Sequence, residues 1–406
     1  MPIVRPFAGL WYDPARAGPL ELLTTPPYDA ITPADQQRYY RAGPHNVVRL
    51  ILGRREPGDD GSANQYTRAS AYLRSWIGAG VLVSTGPPRV YPYEMAFRLD
   101  GADRVVRGVV AEVSLEPWGG SIVPHERTFA PVIRDRLRLL RAVQTNLSMP
   151  YLVHRRPAPA VTAFLDGSTG APPAREVVDE AGTRHRLWAS DEGGTVVAEG
   201  LRDTELLIAD GHHRYAVALE YREEMRAAHG PGPWDAMMML LVDATAERPP
   251  LLPLHRVIAG HAPAPAGKRV RDLGEILASI RDDPPSYGTV ARDDGALAYR
   301  VASLDAPPPT VEALHRTVLG RTPLEAIRFV PDAALAASMV ADGSAAAAYL
   351  LPPTTVDRIW EVVAAGRRLP PKSTSFWPKP RTGMLLRPLT PRLRTPASSP
   401  PSRRPR

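Results

Sequence analysis

The 406-residue chain contains no cysteine. Disulfide frameworks, thiolate nucleophiles and cysteine-ligated zinc are therefore excluded. Long apolar runs are missing as well, since no stretch approaches the ~18 residues of a membrane-spanning helix. Met1 to Leu10 lack a basic segment followed by a long apolar one, so no secretory signal is expected. These absences together fit a cytoplasmic protein in a reducing compartment, with no membrane partner. Three nucleotide and metal signatures are also missing: the Gly-x-x-x-x-Gly-Lys-Ser/Thr loop, Gly-x-Gly-x-x-Gly before a helix, and His-Glu-x-x-His. P-loop, Rossmann, protein-kinase and zincin chemistry are thereby set aside.

Excess charge is scarce over most of the chain. The net charge is +7, but Arg387, Arg392, Arg394, Arg403, Arg404 and Arg406 follow Gly383 with no acid among them. The remainder is nearly balanced, so a nucleic-acid partner is not expected. What is present is an ordinary globular composition, 44% hydrophobic and 23% charged, in a chain long enough for two or three domains.

Three regions and a tail are expected. Residues 1–100 carry turn signals such as Pro26-Pro27-Tyr28-Asp29, where two prolines exclude a helix, and a helix over 64–80 with Tyr66, Ala69, Tyr72, Leu73 and Trp76 near one face. Residues 101–260 hold a valine-rich strand over 104–113, a helix over 132–143, a short apolar strand over 205–209 leading into a helix from His213, and a buried strand over 236–242. Residues 265–387 contain, near their end, the segment Pro371-Lys372-Ser373-Thr374-Ser375-Phe376-Trp377-Pro378-Lys379. The tail, 388–406, is rich in Pro, Ser and Arg and is expected to be disordered.

Three constellations can carry chemistry. Asp210-Gly211-His212-His213-Arg214 lies at a strand-to-helix junction. Glycine permits the tight turn, and the first turn of a helix offers amides and the positive end of the dipole to an anion. The two histidines and Arg214 add donors, and Asp210 can hold a divalent metal or orient a histidine. Pro124-His125-Glu126 supplies a carboxylate base and a partner for it. Lys372, Ser373, Thr374 and Lys379 lie between prolines and suit a rigid clamp for phosphate or carboxylate. The bland alternatives are an N-cap at Asp210, a surface Glu–Arg pair and a basic surface loop.

The block Ile208 to Tyr215 resembles the phosphate-binding signature of the ParB/sulfiredoxin superfamily. In that superfamily free serine kinase carries a Pro-His-Glu segment, an Asp-Gly-His-His-Arg block and a C-terminal Lys-Thr-Thr run. Here Pro124-His125-Glu126, Asp210 to Arg214 and Lys372-Ser373-Thr374 follow in the same order. End to end, the chain is similar to the DUF ten-fifteen family of uncharacterised bacterial and archaeal proteins, through Pro26 to Asp29, Asn46 to Arg49, Leu254-His255-Arg256 and these three segments. The resemblance implies an α+β fold with a ParB-like mixed-sheet core over 101–260 and flanking α/β regions. It implies a kinase acting on free serine or a related hydroxy compound, with ADP or ATP as donor and Mg2+ bridging the phosphates.

Under that resemblance Glu126 is the general base, assisted by His125 and His213. Asp210, Gly211, His212, His213 and Arg214 hold the nucleotide phosphates, with Asp210 as metal ligand. Lys372, Ser373 and Thr374 bind substrate. The alternatives are a ParB-like nucleotide switch with a macromolecular partner, or a phosphatase acting on phosphoserine. A sulfiredoxin-type reaction is excluded by the missing cysteine.

Overall fold

The computed structural model describes residues 1–390, so 391–406, most of the expected disordered tail, lie outside the described residues. The chain divides into two compact units. Among the described residues, the first comprises 1–123, 129–248 and 378–390; the second comprises 124–128 and 249–377.

The first unit is built on a nine-stranded mixed sheet. Its centre is the hairpin Tyr91–Leu99 with Ala102–Ser114, paired from Tyr91↔Val110 to Leu99↔Ala102. Asp100 and Gly101 close it, both at positive φ, the geometry that matches the twist of two paired strands. The boundary expected near residue 100 thus falls inside one hairpin, and the N-terminal region joins the central one. Ala236–Asp243 pairs antiparallel with Ala102–Ser114 and parallel with Tyr151–His154. Leu206–Asp210 follows antiparallel to Tyr151–His154, and Ile122–Val123 closes that side parallel to it.

Helices form where the sequence places them, with small shifts at their ends. Gln65–Gly78 is capped by Asn64, which accepts from the Tyr66 and Thr67 amides. Ala130–Val143 starts with Pro131 in its first turn. It packs along His212–His229 through Leu137, Leu140, Val217 and Tyr221. Leu389 is buried in the same seam, and Arg387–Pro388 pair with Asn146 and Thr145. The folded chain therefore continues past the expected start of the tail at 388, because a buried leucine and a strand pairing hold it.

The second unit is a six-stranded antiparallel sheet, ordered Lys268–Val270, Ala296–Ser303, Ser286–Asp293, Ala347–Leu350, His255–Ile258 and Ile327–Val330. Successive residues feed opposite faces: Ile258, Ala347 and Tyr349 enter one core, Val257, Ala348 and Leu350 the other. Helices cover the sheet, among them Ala333–Ala341, capped by Asp332, and Val356–Ala364, capped by Thr355. The whole is a mixed α/β fold with one large mixed sheet. No helix among the described residues is long and apolar enough to cross a membrane.

Candidate phosphate site and carboxylate cradle

The apolar run Leu206–Asp210 is buried along the sheet and delivers Asp210 to its end. Gly211 then turns the chain at φ 105 and opens the helix His212–His229. A side chain at this position would meet Pro150 Cβ at 3.0 Å and the Arg214 guanidinium carbon at 3.1 Å. Only glycine therefore suits the turn on both backbone and steric grounds. Gly211 brings no capping side chain, in contrast to Asp13, Thr32, Asn64 and Asp272 at other helices.

Asp210 gathers cations. Its Oδ1 accepts from Lys379 Nζ at 2.6 Å, and its Oδ2 pairs with Arg214 Nη2. Burial works against the charged carboxylate, but Lys379 and Arg214 outweigh it and hold the Asp210 carboxyl below the ordinary range. Arg214 is buried and also donates to the Met149 carbonyl at 2.5 Å. His213 lies flat on the Phe129 ring, 5.9 Å between centroids, and its Nε2 accepts the Phe129 amide at 2.9 Å. In the neutral ring that acceptor role leaves the proton on Nδ1. His212 is buried at the helix start.

In the second unit, Glu126 sits in a cradle. Its Oε1 accepts from the Ser373 amide, the Thr374 amide and the Thr374 hydroxyl, each at 2.9 Å, and its Oε2 accepts the Lys372 amide at 3.0 Å. Lys372 has φ 57, and this left-handed residue turns successive amides toward one point, the geometry of an anion nest. The Thr374 hydroxyl gives its proton to Glu126, so it accepts from His125 Nε2 at 2.7 Å. His125, fully buried, is thereby linked to Glu126 through Thr374, with the direct separation at 3.7 Å.

Arg256 underlies this loop. It is fully buried and donates to the Lys372 carbonyl at 3.0 Å and to the Leu254 carbonyl, while its Nε faces His315 Nε2 at 3.0 Å. Burial lowers the Arg256 guanidinium to about 9, with Glu126 acting in the opposite sense. The same burial, with Arg256 adding to it, holds His315 at about 3. The sequence placed Arg256 only in a recognisable segment. Its position in a fully buried strand, beside Val257 and Ile258, was the available sign of a structural task.

The segment expected to form a clamp, Lys372, Ser373, Thr374 and Lys379, divides its hydrogen bonds between two carboxylates. The first three serve the Glu126 cradle in the second unit, and Lys379 serves Asp210 in the first. A resident Mg2+ does not fit the donor set at Asp210. Both carboxylate oxygens are engaged by cations, and among the described residues no group of three or more His, Asp or Glu side chains could hold a metal.

The family model for a protein of unknown function, DUF1015, matches residues 4–361. The chain belongs to the DUF1015 family. No curated protein matches it. Among solved structures, this DUF1015 member is similar to a free serine kinase in complex with AMP, at 12% identity and a TM-score of 0.37, over 63% of this chain and 83% of that one. It is also similar to a conserved hypothetical protein from Pyrococcus furiosus, at 12% identity and a TM-score of 0.36, over 64% of this chain and 90% of that one.

Proposed function

We propose that this chain is a phosphotransferase that binds a nucleoside di- or triphosphate at the Asp210–Arg214 turn and moves a phosphoryl group to the hydroxyl of free serine or a related small compound. The observation that carries the reading is the Gly211 turn. It opens a helix without a capping side chain, beside two cations that a buried carboxylate holds in place. Helix-start amides and fixed cations are what a polyphosphate needs, and stabilising its charge is most of the work in phosphoryl transfer.

In this proposal Asp210 orients Arg214 and Lys379, and Gly211, His212 and His213 meet the phosphates. Glu126 takes the proton of the acceptor hydroxyl. The three amides and one hydroxyl around it fix its direction, and His125 fixes that hydroxyl through Thr374. Lys372 to Thr374 shape the acceptor side. Magnesium enters as the nucleotide's counter-ion, with no group of three or more His, Asp or Glu to hold it among the described residues.

The test is phosphoserine formation from L-serine with ADP and, separately, with ATP, each with Mg2+, for wild type and Glu126→Gln. Product from wild type and none from the variant supports the kinase and its base. Nucleotide binding without product moves the chain to a nucleotide-dependent switch. Phosphate release from phosphoserine in the absence of nucleotide makes it a phosphatase.

A further inference from the structure

We infer that a cavity beside the Gly211 turn is the base pocket of the nucleotide, taking a flat heterocycle whose edge carries hydrogen-bond acceptors. This rests on the nucleotide reading above and adds the part of the ligand that the phosphate turn does not hold.

The cavity measures about 70 Å³ and lies wholly within the first unit. At 10–15 Å³ per water-sized sphere that is room for roughly five to seven such spheres, the scale of one ring system. Its walls are apolar, with Leu139, Leu140, Val217 and Met237 among them. Arg214 forms part of the lining and stands against the Gly211 turn, so the cavity is contiguous with the helix start. An apolar pocket with a few convergent polar groups is the usual form of a small-molecule site.

Two polar atoms on these walls, Asn146 Nδ2 and the Tyr28 hydroxyl, make no hydrogen bond among the described residues. Asn146 is 4% exposed and lines the cavity. Its Oδ1 accepts from the Met238 amide at 3.2 Å and from Arg387 Nη1 at 3.3 Å, which fixes which end of the amide is oxygen. Its Nδ2 makes no hydrogen bond among the described residues. The Tyr28 hydroxyl likewise makes none, and burial, with Asp29 adding to it, raises that phenol well above its ordinary range. It is a protonated donor at neutral pH. Arg136 lies over the Tyr28 ring at 4.5 Å and donates to the Ile51 carbonyl at 2.5 Å, which holds the turn in place.

The lining contains no acid. The ammonium group of serine would find no counter-charge here, so the pocket does not suit the amino acid. A heterocycle offers uncharged acceptors to Asn146 Nδ2 and Tyr28, and two apolar faces to the leucines and Val217.

The experiment compares ADP with inorganic pyrophosphate by titration calorimetry on the full chain, for wild type, Val217→Phe and Tyr28→Phe. The first variant fills the cavity, and the second removes one hydroxyl from a turn. Wild type is expected to bind ADP at least about tenfold more tightly than pyrophosphate. Val217→Phe should abolish that margin. Tyr28→Phe should reduce it about three- to tenfold, the worth of one hydrogen bond, with pyrophosphate binding unchanged. Equal binding of ADP and pyrophosphate by wild type, or an intact margin in both variants, overturns the base pocket while leaving the phosphate turn standing. Binding of neither ligand removes the nucleotide reading and the pocket together.

Discussion

Lys379 Nζ stands 2.6 Å from Asp210 Oδ1, across 169 positions of sequence. The contact brings a segment near the end of the described chain to the start of the helix His212–His229, and it sets the charge there. Asp210 alone would be a costly buried anion; Lys379 and Arg214 compensate it, against the opposing charge of Asp29 nearby.

Lys379→Met should therefore weaken both fold and ligand. Removing one partner of a largely buried pair costs about 3–5 kcal/mol, and the partial exposure of Lys379 brings the expected loss toward the lower end. Denaturant titration reads it. The sign with pH follows from the lowered Asp210 carboxyl. Its stabilisation is present above an unfolded value of about 4 and is lost as pH falls through the folded one. The difference between wild type and variant should shrink below pH ~4 and be constant from pH 5 to 8.

Gly211→Ala tests the turn. The φ of 105 and the approach of Pro150 Cβ to 3.0 Å should cost about 1–3 kcal/mol, with polyphosphate affinity falling as the turn shifts. Unchanged affinity for inorganic pyrophosphate would argue that these amides do not touch the phosphates.

Glu126→Gln separates a base from a loop anchor. The amide nitrogen of glutamine would face the Lys372 amide or the Ser373–Thr374 donors, leaving a donor unsatisfied at about 1–3 kcal/mol. Thr374→Val removes one hydrogen bond to Glu126 and the link to His125. A base predicts loss of turnover in Glu126→Gln with nucleotide affinity retained. An anchor without chemistry predicts that Thr374→Val and Glu126→Gln lose activity only in proportion to their loss of stability.

The buried histidines of the second unit give it a pH dependence. His255 is held at about 4 by burial, with Arg256 adding to it, and its Nδ1 accepts the Leu351 amide at 3.1 Å. The unfolded chain takes up this proton near pH 6.5, the folded one only near 4. Stability is thus full above pH 6.5 and falls on acidification to 4, by on the order of 3 kcal/mol from this residue. His255→Asn keeps an acceptor for Leu351 and should flatten the slope of unfolding free energy between pH 6.5 and 4. An unaltered slope would place the linkage elsewhere.

Local order was legible in the sequence because its causes are local. Glycine after an apolar strand, with a helical period following, specifies the Asp210–Gly211 turn, and the periodic apolar residues of 64–80 specify their helix. The hairpin at Asp100–Gly101 was equally local, a two-residue Asp-Gly turn between two strands, yet a domain boundary had been expected near it. Arg136 also left a sign. It lies off the polar stripe of Arg134, Arg138 and Arg141 and one turn before Leu139 and Leu140, where a surface arginine has no reason to be.

Tertiary structure alone decided the partners. Charge and hydrogen-bonding capacity are properties of a residue, but the group that satisfies them is chosen by packing across long stretches of chain. Lys372 and Lys379 lie seven positions apart, and the fold gives one amide to Glu126 and the other ammonium to Asp210. Asn146 was an unremarkable polar residue until burial took its oxygen for Met238 and left its nitrogen beside a cavity. The sequence determined which chemistry was available, because residue types and short spacings carry it. The fold decided which groups were neutralised and which remained for a ligand, because that depends on burial and on distances that no local pattern encodes.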